Sequence, residues 1–177
     1  RASAARAAGS PAGSPTAASA AAHGLRAWLF GHPAQLVTLA YNLFFAAEIE
    51  AALGTSSELV ARDAAFDVGN PDTVHLLQLR ARAAQQFLSR LSALVRDGAS
   101  LTPLHRRVAS SMITIGVNLR DVAASLVAAK TAHVSDFVWQ KQLRARWDAQ
   151  LQDVTYAQLG YQTDYGFEYL GAPPRLV

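Results

Sequence analysis

Two helix-length runs of apolar residues, separated by one short break, constrain this chain more than any other feature. In the first, from about Thr73 to Arg96, Leu76, Leu79, Ala83, Phe87, Leu91 and Leu94 recur at steps of three and four, the spacing that lines one face of an α-helix. Arg82, Gln85, Gln86 and Ser89 fall on the opposite side. Asp97-Gly98 closes the run, glycine being the usual residue just past a helix end. The second run opens at Leu101-Thr102-Pro103, with Thr102 placed to cap and Pro103 at the first helical position. Leu104, Val108, Met112, Ile115, Leu119, Val122 and Leu126 then form a seam to about Lys130. Two long helices joined by so short a connection pack antiparallel, as a helical hairpin.

The flanking residues add smaller pieces. Leu25, Trp28 and Leu29 give one apolar face to a short helix ending before Gly31-His32-Pro33. Pro33 starts a further helix, with Leu36, Leu39, Ala40, Leu43, Phe44, Ala47 and Ala51 at helical spacing, and Gly54-Thr55-Ser56-Ser57 is read as its break. Its apolar run Ala34 to Ala47 covers about 14 residues before Glu48 and Glu50, short of the roughly 20 needed to span a bilayer, so a buried core helix is the reading. Glu58 to Phe66 has the pattern of two helical turns before a loop at Gly69-Asn70-Pro71. Beyond Val134-Ser135-Asp136, with Ser135 or Asp136 as cap, Trp139, Leu143 and Trp147 recur every fourth residue and predict a short aromatic helix. Leu151 to Gln158 alternates and favours a strand through Val154-Thr155-Tyr156, Gly160 to Asp164 reads as a turn, and Tyr165 to Tyr169 as a second strand. The fold class is mainly α: an antiparallel helical bundle with a small β element near the C-terminus.

Residues 1–22 are almost entirely Ala, Ser, Gly, Pro, Thr and Arg and bring no large apolar side chain to bury, so they are expected to be disordered. The alternative there is a transit peptide, with Arg and Ser and no acids. The formal charge of +3 owes two units to Arg1 and Arg6. The rest holds 14 basic side chains (16 less those two) against 13 acidic, with no basic stripe, which is not the footprint of a nucleic-acid binder. No cysteine is present, which excludes disulfides and thiolate metal sites. His23, His32, His75, His105 and His133 show no metal-ligand spacing and are read as solvated surface, so no metal site is expected. The chain has no G-x-x-x-x-G-K-[ST] loop, no Asp-rich metal strand and no G-x-S-x-G elbow, so no catalytic residue is assigned and ATP hydrolysis by this chain alone is not expected. Arg1 where a Met would stand, and Val177 at the apparent start of a strand, suggest a piece of a longer protein.

Two blocks near the end carry a resemblance. Phe137, Trp139, Gln142, Leu143, Arg144 and Trp147 match a Phe-x-Trp-x-x-Gln-Leu-Arg-x-x-Trp pattern. Tyr165-Gly166-Phe167-Glu168-Tyr169-Leu170-Gly171, followed by Pro174-Arg175-Leu176-Val177, matches Tyr-Gly-Tyr-Glu-Tyr-Leu-Gly-x-x-Pro-Arg-Leu-Val except at Phe167. Both patterns, in this order, resemble dynein heavy chains where the linker ends and the first AAA+ module begins. Trp28-Leu29, Pro33-Ala34-Gln35 and Glu48 to Leu53 resemble the same linker more sparsely, with Phe44 and Phe45 near where the family favours Trp. Arg120-Asp121-Val122 is similar to a His-x-Arg-Asp-Val signature in which Asn118 replaces His and Gly116 a usual Asp, so roles specific to those two side chains do not carry over.

The resemblance, which runs from about Leu25 to Val177, implies residues 23–164 as the C-terminal linker bundle and 165–177 as the connection into the AAA+ module, while residues 1–22 stand outside it as the disordered Ala/Ser/Pro/Gly-rich insertion read from their composition. It implies a minus-end-directed microtubule motor that uses ATP and Mg2+, neither bound by this chain alone. Its partners would be the AAA+ ring, microtubules, and dynein intermediate and light chains, with no nucleic acid and no membrane. Its place would be the cytoskeleton, in an axoneme rather than the general cytoplasm. Leu176 and Val177 would lie near nucleotide through their backbone, where an apolar slot with backbone donors and acceptors suits a purine; the alternative is that they simply begin an ordinary first strand. Trp139, Arg144, Trp147, Tyr169 and Arg175 would form the surface where linker meets ring, although Arg144 also reads as a tie to a carboxylate or carbonyl, with Trp139 and Trp147 anchoring the core. The competing class is a stand-alone helical scaffold or adaptor that docks a partner on an exposed apolar face.

Overall fold

A computed structural model describes residues 17–60, 71–96 and 101–166. Its elements are α1 (Ala17–Gly31), α2 (Ala34–Val60), α3 (Pro71–Arg96), α4 (Pro103–Ala128), the single turn α5 (Phe137–Gln140), β1 (Arg144–Asp148), β2 (Asp153–Gln158) and β3 (Tyr161–Asp164). The strands form one antiparallel sheet in the order β1-β2-β3. The molecule is therefore mainly α with a small sheet near its C-terminal end. The expected Glu58 to Phe66 turns, the Asp97-Gly98 helix end and Phe167 to Tyr169 fall wholly or largely outside the described residues.

α3 and α4 form the expected hairpin. Thr102 caps α4, its hydroxyl accepting from the His105 N–H at 3.2 Å, with Pro103 next in line. The buried face of α4 is two interleaved rows, Ala109-Gly116-Ala123 and Met112-Leu119-Leu126, each repeating every seven residues. The small row lets α3 approach closely. A Cβ placed on Gly116 would stand 2.8 Å from Leu88 Cδ2, which accounts for glycine here in physical terms. Leu104, expected in the seam, is exposed, as is Leu79 of α3. The buried row of α3 is Thr73, Leu77, Ala84, Leu88 and Leu91, turned by about one residue from the expected stripe because α2 also packs on this helix.

α2 is the central element, covered by the hairpin on one side and the sheet on another. Phe45, Ile49 and Leu53 join Leu77, Leu119, Leu126 and Trp139 in the main core, while Leu39 packs with Ala145 and Val154 of the sheet. Leu36 and Phe44, expected inside, are exposed. Nor does α2 break at Gly54: it runs on to Val60, since one glycine inside a helix costs only about 1 kcal/mol. By length and hydropathy Ala34–Gly54 and α4 both pass for membrane spans, the former longer than the sequence reading allowed. Their buried faces, however, are committed to the protein core. α1 starts at Ala17 rather than near Leu25, inside the segment expected to lack order, as an alanine-rich stretch of high helix propensity permits. Leu25, Trp28 and Leu29 do share a face, packed with Val37, Leu91 and Met112. His105 is not simply solvated: it stacks on Phe30 with centroids 4.2 Å apart.

The aromatic helix is the main departure. It stops after one turn, and residues 144–148 instead pair with β2 in the register Arg144↔Ala157 to Asp148↔Asp153. Val154, Thr155 and Tyr156 supply the strand-favouring partner that outweighs the fourfold spacing of Trp139, Leu143 and Trp147. Asp148 Oδ1 accepts from the Gln150 and Leu151 amides and turns the chain between the strands. Tyr161–Asp164 is a strand rather than the expected turn; only Leu159 and Gly160 separate it from β2.

Candidate functional site

Helix α2 and strand β1 meet at one carboxylate. Residues two apart on a strand point the same way, so Arg144 and Arg146 both reach Glu50 on α2. Glu50 Oε1 accepts from Arg146 Nη2 at 2.7 Å and Nε at 3.2 Å, and from the Trp139 indole N–H at 3.3 Å. Arg144 Nη1 lies 3.7 Å from the same oxygen. Glu48, two residues earlier, projects from a different side of the helix and pairs with Arg80 of α3 at 3.1 Å. Neighbouring acids on one helix thus tie it to the sheet and to the hairpin.

Arg144 is only 3% exposed, a guanidinium taken almost wholly out of water. Its Nη2 donates to Gln140 Oε1 at 2.8 Å, and Gln140 Nε2 in turn donates to the Val134 carbonyl. The Arg144 guanidinium carbon lies 6.0 Å from the Trp139 ring centre. Its Nε is buried without a hydrogen-bond partner. Burial, and then the neighbouring Arg146 charge, lower the Arg144 pKa from its ordinary value, with Glu50 opposing them. Glu50 is what makes two adjacent cations tolerable here.

Beside this cluster an apolar groove of about 800 Å3 runs between Leu43, Phe44 and Ala47 of α2 and Ala145 and Trp147 of β1, with Arg146 and Glu50 at its end. Phe44 is 68% and Trp147 57% exposed. Among the described residues no three His, Asp or Glu side chains stand close enough to hold a metal ion. What this arrangement does is hold one element against another.

The structure therefore brings Trp139 and Arg144 together and sets Trp147 apart on the open groove, which corrects its expected role as a core anchor. Tyr169, Arg175, Leu176 and Val177 lie outside the described residues. Glu50 and Gln140 were not singled out from sequence. The available signal was an acid, Glu50, ending an apolar run and otherwise lacking a helical counter-charge.

No protein-family profile matches the chain. Individual relatives do. Dynein axonemal heavy chain 6 of Homo sapiens is 32% identical over 147 residues, 83% of this chain. The dynein alpha chain of the flagellar outer arm of Chlamydomonas reinhardtii is 29% identical over 150 residues, and dynein axonemal heavy chain 2 of Mus musculus is 36% identical over 91. The chain spans about 3% of the length of the first and second of these relatives. The chain belongs to the dynein heavy chain family. Matches to axonemal and flagellar chains of both inner and outer arms assign it to the axonemal cytoskeleton.

Proposed function

We propose that this chain is the C-terminal part of a dynein linker, the mechanical element of a minus-end-directed microtubule motor. The observation that carries the reading is the Glu50 junction. A linker converts a local change at an ATP site into displacement, and it does so only if its own parts move as one body. Trp139, Arg144 and Arg146, all gathered on one α2 carboxylate, supply that rigidity between bundle and sheet. Trp147 and Phe44 give the same junction an open apolar face toward a neighbouring module.

In this reading ATP and Mg2+ act in the AAA+ ring. This chain's own sequence contains no phosphate-binding loop, so no hydrolytic step is assigned to its residues. Leu176 and Val177 are proposed to approach nucleotide through their backbone, and Tyr169 and Arg175 to join the ring-facing surface. Microtubules and the intermediate and light chains are partners of the whole motor.

The test is Glu50→Ala in a motor that contains this chain. A mechanical role predicts microtubule gliding slowed several-fold while ATP turnover per motor stays within about twofold, a loss of coupling rather than of chemistry. Unchanged gliding would refute it.

A further inference from the structure

A groove of about 410 Å3 runs along the hairpin, lined by α3 and α4 alone. Leu88, Ile113 and Val117 give it an apolar floor, with Arg96 and Arg120 among its polar walls. Helical spacing explains the arrangement. Arg82, Gln85, Ser89, Ser92 and Arg96 recur by three and four along α3, and Arg106, Ser110, Ile113, Val117 and Arg120 do so along α4. The helices are antiparallel with Leu88 against Gly116, so Arg96 and Arg106 fall at one end of this face and Arg82 and Arg120 at the other. The ends lie roughly 21 Å apart, about four helical turns.

The charge is distributed to match. Residues 71–128 hold seven arginines against Asp72, Asp97 and Asp121, while the rest of the chain has nine basic and ten acidic side chains. The formal excess of +3 therefore sits in the hairpin. No acid among the described residues lines the groove. Arg82 and Arg96 have no ion-pair partner among the described residues, Arg120 holds Asp121 at 2.7 Å, and Arg106 Nε donates to the Leu101 carbonyl at 3.4 Å.

The furrow between two packed helices is the shape that a third helix fills. Here its centre is apolar and its ends are cationic, so the complementary helix is apolar along one stripe and acidic beside it. A second copy of this chain does not fit, because a symmetric contact would set these arginines against their own kind. A bilayer surface or a nucleic acid would meet the arginines but leave Ile113 and Val117, between the helices, uncovered. We infer that this face of the α3–α4 hairpin docks an acidic amphipathic helix of a partner protein, with its apolar stripe over Ile113 and Val117 and its carboxylates toward the arginines. The inference goes beyond the linker reading and does not rest on it, since no residue of the Glu50 junction lines the groove.

The test is an NMR titration of the full isotopically labelled chain with the capped peptide acetyl-(Glu-Leu-Ala-Glu-Leu-Ala-Ala)2-amide, alongside twins with glutamine or lysine in place of glutamate. Saturable shifts of the Ile113 and Val117 methyls and of the Arg96 and Arg120 Nε–H groups are expected with the glutamate peptide. Its affinity should exceed that of the glutamine twin by about tenfold, the scale of two exposed ion pairs, and should fall as salt is added. The lysine twin should not bind. Arg96→Gln combined with Arg120→Gln should reduce the glutamate peptide to the affinity of its glutamine twin. Val117→Glu, at an exposed position, should weaken binding further while the core signals of Leu91 and Met112 stay in place. No saturable shift, equal affinity for the glutamate and glutamine peptides, an unchanged response in the double arginine variant, or the same shifts with phosphatidylserine vesicles would overturn the assignment.

Discussion

Glu50 of α2 and Arg146 of β1, 96 residues apart in the chain, are joined by two hydrogen bonds to a single carboxylate oxygen, the shorter 2.7 Å. Through this pair the sheet is held to the helical bundle, and Arg144 and Trp139 depend on the same oxygen.

Removing that carboxylate leaves Arg144 buried beside Arg146 with no counter-charge. Glu50→Ala is expected to destabilise the fold by about 3 kcal/mol, in the range for breaking a buried ion pair by deleting one partner. Arg146→Ala, at the half-exposed side, should cost about 1 kcal/mol or less. Urea denaturation of both single variants and the double variant measures the coupling. Strictly additive losses would show that the two side chains do not act as a pair.

Trp139 and Trp147 should separate cleanly. Trp139 is 1% exposed and in the main core, so Trp139→Ala is expected to cost about 3–5 kcal/mol. Trp147→Ala, on the open groove, should cost under about 1 kcal/mol. Equal losses in thermal or chemical unfolding would place Trp147 in the core instead.

Tyr41 stacks on Phe87 with centroids 4.5 Å apart, and burial, aided by Glu48, raises its pKa to about 12. The folded state therefore keeps this proton after the unfolded chain has begun to lose it near pH 10. Its contribution is complete below that value and is lost as pH rises from 10 toward 12. About 2 kcal/mol should disappear across this window. Tyr156, also raised by burial, acts in the same direction. Stability measured against pH should fall less steeply there in Tyr41→Phe.

Gly116 tests the closeness of the hairpin. A branched side chain facing Leu88 at 2.8 Å must displace a buried neighbour, and Gly116→Val is expected to cost about 1–3 kcal/mol despite glycine's poor helix propensity. A stabilised variant in a melting experiment would mean that α3 and α4 stand further apart.

The hairpin was legible because its signals are local. Thr102-Pro103 announces a helix start through groups within one turn, and the Met112-Leu119-Leu126 spacing marks a buried row whatever packs on it. The small row Ala109-Gly116-Ala123 escaped notice because a search for large apolar residues passes over the ones that admit a neighbour. The face of α2 was harder to read for the opposite reason. Apolar residues lie around much of that helix, so periodicity alone does not say that Ile49 and Leu53 are buried while Phe44 is out.

By itself the sequence determined a mainly α chain, its hairpin and, through two spaced aromatic blocks, its family. Those properties are written in residue type and short-range spacing. Only the tertiary structure decided that residues 144–148 leave the helix for a strand, since the Val154-Thr155-Tyr156 partner that captures them is supplied by another segment. The same is true of the Glu50 junction. Its charges are almost a hundred residues apart, and burial by surrounding elements, not spacing along the chain, makes their pairing necessary.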